Sequence, residues 1–189
     1  MLLVFTLVGC MTPTVLNDAR NWTIELASSE PSPSGPCLIY DDMHRLMLDG
    51  TLVSGKMDGI WTSTGSDGTR LVKCSYHQGV RHGPVRMWFG ALRYPEASGQ
   101  LKLEGAFADG GYDGTVTRYY SSGTKQSVRV YERGVLKSSQ YWSPSGVEAP
   151  PAAAARDAEF EHMQDMAYLS TLEDMVMRSL AQAHREVRK

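Results

Sequence analysis

Between Leu52 and Gly146 the glycines fall into a repeating frame, and that frame restricts the fold more than any other property of the sequence. Three phrases carry it: Tyr76-His77-Gln78-Gly79, Phe107-Ala108-Asp109-Gly110 and Tyr131-Glu132-Arg133-Gly134. Leu52-Val53-Ser54-Gly55 is a weaker copy upstream. Successive leading glycines lie 24, 31 and 24 residues apart, so the middle unit holds a seven-residue insertion. Four residues after three of them comes an inner glycine (Gly59, Gly83, Gly114), and each unit closes on another (Gly68, Gly99, Gly123, Gly146). A fixed period of this length marks a stacked array.

Each unit predicts strands. Val72, Cys74 and Tyr76 alternate onto one face, as do Leu101, Leu103 and Phe107 one unit later, and glycines bound both runs. Gly65-Ser66-Asp67-Gly68, Ser121-Ser122-Gly123 and Pro144-Ser145-Gly146 are turn sequences with glycine placed for positive φ. The prediction is a row of two-stranded hairpins. One hairpin is marginal in water, so neighbours must stack to bury their apolar faces. Position two after the inner glycine is Trp61, Val85 or Val116, and position five is Thr64, Trp88 or Tyr119.

The pattern Gly79-x-x-x-Gly83-x-Val85-x-x-Trp88 with Gly99 resembles the bacterial variant of the MORN repeat, as does Gly110-x-x-x-Gly114-x-Val116-x-x-Tyr119 with Gly123. The likeness covers about half the chain; the first unit has Thr64 in place of the second aromatic, and the last lacks the inner glycine. The resemblance implies a mainly β fold built as an elongated, solenoid-like sheet of stacked hairpins, used for binding and assembly. It also implies, as an alternative, an antitoxin or immunity-type protein that neutralises a toxin by binding it. The aromatics Trp61, Trp88, Tyr119, Tyr120 and Trp142 are the expected binding face, or else the stacking core.

The flanks complete the organisation. Residues 1–10 end in Leu7-Val8-Gly9-Cys10, which resembles a lipobox: small residues at a cleavage site, then a thiol to take the lipid. The stretch is too short to span a bilayer, and no basic residue precedes Arg20. Lipidation at Cys10 would place the chain at the bacterial envelope, joined to a membrane by its N-terminal lipid. The other reading is an apolar N-terminal strand of a cytoplasmic protein. Residues 11–36 include Ser28-Ser29-Glu30-Pro31-Ser32-Pro33-Ser34-Gly35-Pro36 and read as a flexible tether. Residues 37–149 hold the repeat domain. With Cys10 lipidated, Cys37 and Cys74 remain as a pair that either bridges or packs as two buried thiols.

Residues 150–189 change character. Glycine disappears, good helix formers dominate, and Met163, Met166, Leu169, Leu172, Val176, Leu180, Ala183 and Val187 recur every three or four positions. An amphipathic helix is expected, with a break allowed near Ser170-Thr171. It either caps the open edge of the last hairpin, near Val130, Tyr131 and Tyr141, or pairs with a partner. A net charge of −2 gives no basic footprint for nucleic acid. Cys74, His77 and His82 approach metal-ligand spacing, but His77 occupies a repeat position filled elsewhere by Ala108 and Glu132. No metal or other cofactor is therefore expected. No nucleophile elbow, phosphate loop or paired-histidine motif occurs. The expected function is a non-catalytic module with a protein partner; an envelope enzyme is the further alternative.

Overall fold

The computed structural model describes residues 14–17, 23–26 and 32–186, with backbone alone for 14–17, 151–158 and 182–186. The fold is mainly β with one C-terminal helix. Its strands are β1 (Thr14–Asn17), β2 (Thr23–Leu26), β3 (Gly35–Tyr40), β4 (Leu46–Val53), β5 (Lys56–Thr64) and β6 (Arg70–His77). Then follow β7 (Val80–Trp88), β8 (Leu101–Ala108), β9 (Gly111–Tyr112), β10 (Gly114–Tyr119), β11 (Lys125–Glu132) and β12 (Val135–Tyr141). All are antiparallel neighbours in one open sheet, in chain order, with β9 paired to β8 beside that path. The helix α1 (Pro151–Glu186) closes the chain.

The leading glycines are two-residue hairpin turns. Ser54-Gly55, Gln78-Gly79, Asp109-Gly110 and Arg133-Gly134 all have positive φ at both residues, 48–51° then 75–87°. That is the type I′ turn, whose twist suits a tight antiparallel hairpin. The inner glycines Gly59, Gly83 and Gly114 also have positive φ, at 71°, 96° and 82°. A Cβ at Gly114 would meet open space, so backbone conformation, not crowding, calls for glycine there. Register shifts recur at one place in the frame, between Ser63 and Thr64, Met87 and Trp88, and Arg118 and Tyr119. The seven-residue insertion is the long β7–β8 loop, which contains a 3₁₀ turn at Pro95–Ala97.

Alternation gives the sheet two unlike faces. Ile39, Leu48, Leu52, Trp61, Val72, Cys74, Val85, Leu103 and Val116 are buried on the face that α1 covers. The stripe on α1 answers them with Leu169, Leu172, Met175, Val176 and Leu180. Gly50 lies under Trp61: a Cβ there would sit 2.1 Å from the indole, whose Nε1 donates to the Thr51 carbonyl at 3.2 Å.

Three expectations change. The helix does not cap the last hairpin's edge; it crosses the sheet face, passing β12 near one end and β1 near the other. Its 36 residues reach about 54 Å at 1.5 Å each, and ten strand spacings of about 4.8 Å make about 48 Å. It is also unbroken at Ser170-Thr171, where Leu169 and Leu172 on either side are buried against the sheet and Thr171 Oγ1 donates to the Ala167 carbonyl at 2.9 Å. Finally, residues 23–26, assigned to the tether, form β2, since Ile24 and Leu26 bury themselves against the core. Cys10 lies outside the described residues.

Candidate functional site

The face of the sheet away from α1 carries a groove of about 730 Å³. Its walls alternate with the core along the same strands: Ile60 from β5, Lys73 and Ser75 from β6, Pro84 and Arg86 from β7, Glu104 from β8, Thr115 and Thr117 from β10. Ile60 is half exposed, and Arg86 faces Glu104 at 3.6 Å. Tyr119 donates its hydroxyl to Glu104 at 3.0 Å. The groove is therefore mixed: short hydroxyls, both signs of charge and small apolar patches. Such a surface can hold a polypeptide by many modest contacts.

The five expected binding aromatics do not assemble on one face. Trp61 is in the core, 2% exposed. The repeat frame itself sorts it, since position two is buried in every unit as Trp61, Val85 and Val116. Trp88 lines a second groove beside the β7–β8 loop with Leu71, Leu92 and Tyr168, and the Arg70 guanidinium sits 5.5 Å from its ring. Tyr120 donates to the Trp142 carbonyl at 2.9 Å, and Trp142 bridges to Glu148, so this pair fastens the last turn. Tyr119 alone borders the open groove.

Cys37 and Cys74 are free thiols. They stand on β3 and β6 with two strands between them, about 14 Å apart at 4.8 Å per strand, far beyond disulfide reach. Burial pushes both thiols up to about 12, so they stay protonated and pack as small apolar groups. His77 and His82 are exposed near the turns, beside Asp58 and Asp109 respectively, away from buried Cys74. Among the described residues no group of three or more His, Cys, Asp or Glu side chains could hold a metal ion.

What the periodicity did not reveal is a row of charges between α1 and the sheet. Arg81 on β7 holds Glu173 through Nε at 2.6 Å and Nη2 at 2.8 Å, and Tyr76 donates to the same carboxylate at 2.9 Å. Asp165 takes Lys102 at 2.7 Å and a close contact from Arg118, whose other nitrogen reaches Glu161 at 3.1 Å. Arg129 sits 3.5 Å from Glu159. Burial opposes the charge on Arg81, but the hydrogen bond and charge of Glu173 outweigh it and raise its pKa. Burial raises the Tyr76 hydroxyl, keeping it a donor. Burial lowers His162, against the pull of Glu159 and reinforced by Arg129 and Arg118. A sequence signal for a buried charge existed, though not for its partner: Arg118 stands two residues from Val116, on the inward register.

No family model matches this chain, and no curated protein matches it in sequence.

Proposed function

We propose that this chain is a non-catalytic, MORN-variant repeat module that binds a protein partner across the open face of its sheet. One observation carries the reading: α1 packs along one face and buries its apolar residues, whereas the groove from Ile60 to Thr117 has no cover among the described residues. A face built of exposed Lys73, Arg86 and hydroxyl side chains adds nothing to the core, so its composition is free to serve recognition. The lipobox-like Leu7-Val8-Gly9-Cys10 supports an envelope setting through a lipid on Cys10. Expressed with a complete signal sequence, Cys10→Ala then leaves the membrane fraction; a variant that still sediments with membranes rejects the anchor.

The binding test uses Lys73→Glu and Arg86→Glu together. Both side chains face solvent, and Arg86→Glu sets a second acid opposite Glu104, so stability should fall by no more than about 1 kcal/mol. In-cell crosslinking of the parent should capture a defined protein that the double variant loses. An identical crosslinking pattern for both proteins overturns the reading. Capture of a toxin would narrow the function to the antitoxin type.

A further inference from the structure

The four type I′ turns dock on one another by a rule that leaves one place unfilled. Each turn glycine donates its N–H to the preceding hairpin: Gly55 to Pro33 O, Gly79 to Met57 O, Gly110 to Arg81 O and Gly134 to Tyr112 O, at 2.7–3.0 Å. Met57, Arg81 and Tyr112 each stand two residues after the glycine of their own turn. Leu136 stands two residues after Gly134, in the same place, and no described strand lies beyond β12.

The residue one step further on meets the next turn. Asp58 accepts from the backbone N–H of Gln78 at 2.9 Å, and Asp113 from that of Arg133 at 3.0 Å. At the junction between them this position is His82, and the turn it faces opens with Asp109, at 3.7 Å. An acidic position thus meets an N–H donor, and a basic one meets an acid. The unfilled junction presents Lys137, half exposed and turned for now to Glu132 at 3.2 Å.

The strand edge is open from Leu136 to Ser139, and the chain's own Ala149 occupies it at Tyr141. Trp142 donates inward to Gln126 O, and Tyr141 O accepts outward from Ala149. Backbone groups alternate along a strand, so Ser139 faces outward with Tyr141. The chain starts to pair there itself at Val147–Ala149, but Pro150 ends the attempt and α1 departs. Val135 and Leu136 remain exposed beside the edge.

We infer that the β12 edge accepts a β-hairpin from a separate polypeptide, one whose two-residue turn reads Asp-Gly. Its glycine N–H bonds to Leu136 O, its aspartate pairs with Lys137, and its strand runs antiparallel along Ser139. This continues a turn-on-turn contact formed three times within the chain, and it stands independently of the open-face groove.

The probe is a backbone-cyclised peptide of this chain's own Gly105–Gly114, which carries Asp109-Gly110 and stops short of the edge that Ala149 occupies. Titrated against the full chain, it should bind, and an Arg-Gly version should bind about tenfold more weakly. Lys137→Asp, an exposed change that leaves folding intact, should reverse that preference. Ser139→Pro, which removes the outward N–H, should abolish binding of either peptide. Failure of the Asp-Gly peptide to bind, equal affinity for both peptides, or an unchanged preference with Lys137→Asp overturns the proposal. So does self-association of the chain along β12 that excludes the peptide.

Discussion

Beneath α1 the covered face changes character from one end of the sheet to the other. From β2 to β6 it is apolar apart from Ser63, which bonds to Tyr168: Ile24, Leu26, Ile39, Leu48, Leu52, Trp61 and Val72 are at most 3% exposed. From β8 to β12 the buried residues include Lys102's partner Asp165, Arg118, Gln126, Ser127 and Arg129. Within that second half, Tyr112 Oη, Gln126 Oε1 and Arg129 Nε and Nη2 have no hydrogen-bond partner among the described residues. The two halves fix different things. Apolar burial is non-directional, so the first half supplies cohesion without choosing the helix's position along its axis. Ion pairs are directional and costly when mismatched, so the second half chooses which helix residue meets which strand. Asp165 opposite Lys102 and Arg118 is the register mark.

The contrast can be broken most strongly in the apolar half. Gly50→Val forces a branched side chain into the space of the Trp61 ring, which is walled in and cannot yield. We expect a loss of about 3 kcal/mol, read from urea unfolding. A loss below 1 kcal/mol would mean that the indole can leave its place over Gly50.

Asp165→Asn tests the polar half. It keeps the shape but removes the anion between Arg118 and Lys102, while Glu161 remains beside Arg118. A cost of about 2 kcal/mol is expected, less than full removal of a buried partner. Replacing Arg118 by Met in the same chain should recover part of it, because the buried guanidinium, left with Glu161 as its one carboxylate, is then gone. If the double variant is less stable than Asp165→Asn alone, the ion pair is not the reason for the loss.

The smallest effect is a pH dependence confined to the polar half. His162 packs 5.5 Å from the Tyr112 ring, and burial holds its pKa below the ordinary 6.5. The unfolded chain takes up a proton near 6.5, and the folded chain resists it until lower pH. The unfolded state therefore binds more protons in that window, and stability falls as pH drops below about 6.5. Between pH 7.5 and 5.5 the melting temperature should fall by on the order of 1–2 °C more than in His162→Phe. Identical slopes for the two proteins would remove His162 as the cause.

Local chemistry made the strands and turns legible. A two-residue period and an X-Gly step suffice to place Val72, Cys74 and Tyr76 on one face and a turn at Gln78-Gly79, because both depend on neighbours in sequence. The helical stripe was legible for the same reason. What the stripe faces was not: Leu169 and Val176 announce an apolar neighbour, and a sheet edge and a sheet face are both apolar neighbours. The bridge between Cys37 and Cys74 failed on a long-range fact, the number of strands lying between them. Trp61 and Trp88 look alike in composition, and only their different positions in the repeat frame separate core from groove. The charge row was hidden because Arg81 and Glu173 lie 92 residues apart, and no local rule pairs them.

The match between α1 and the width of the sheet has a consequence for how chains of this kind can lengthen. A duplicated hairpin adds two strands, about 9.6 Å of width, which a helix covers with about six further residues. A gene that gained a repeat without gaining those residues would encode a protein with a bare strip of core at one end. Hairpin number and helix length would then have to change together, with α1 as the gauge. Variation in unit count among descendants of this chain should arrive in paired steps, a hairpin and its share of helix together.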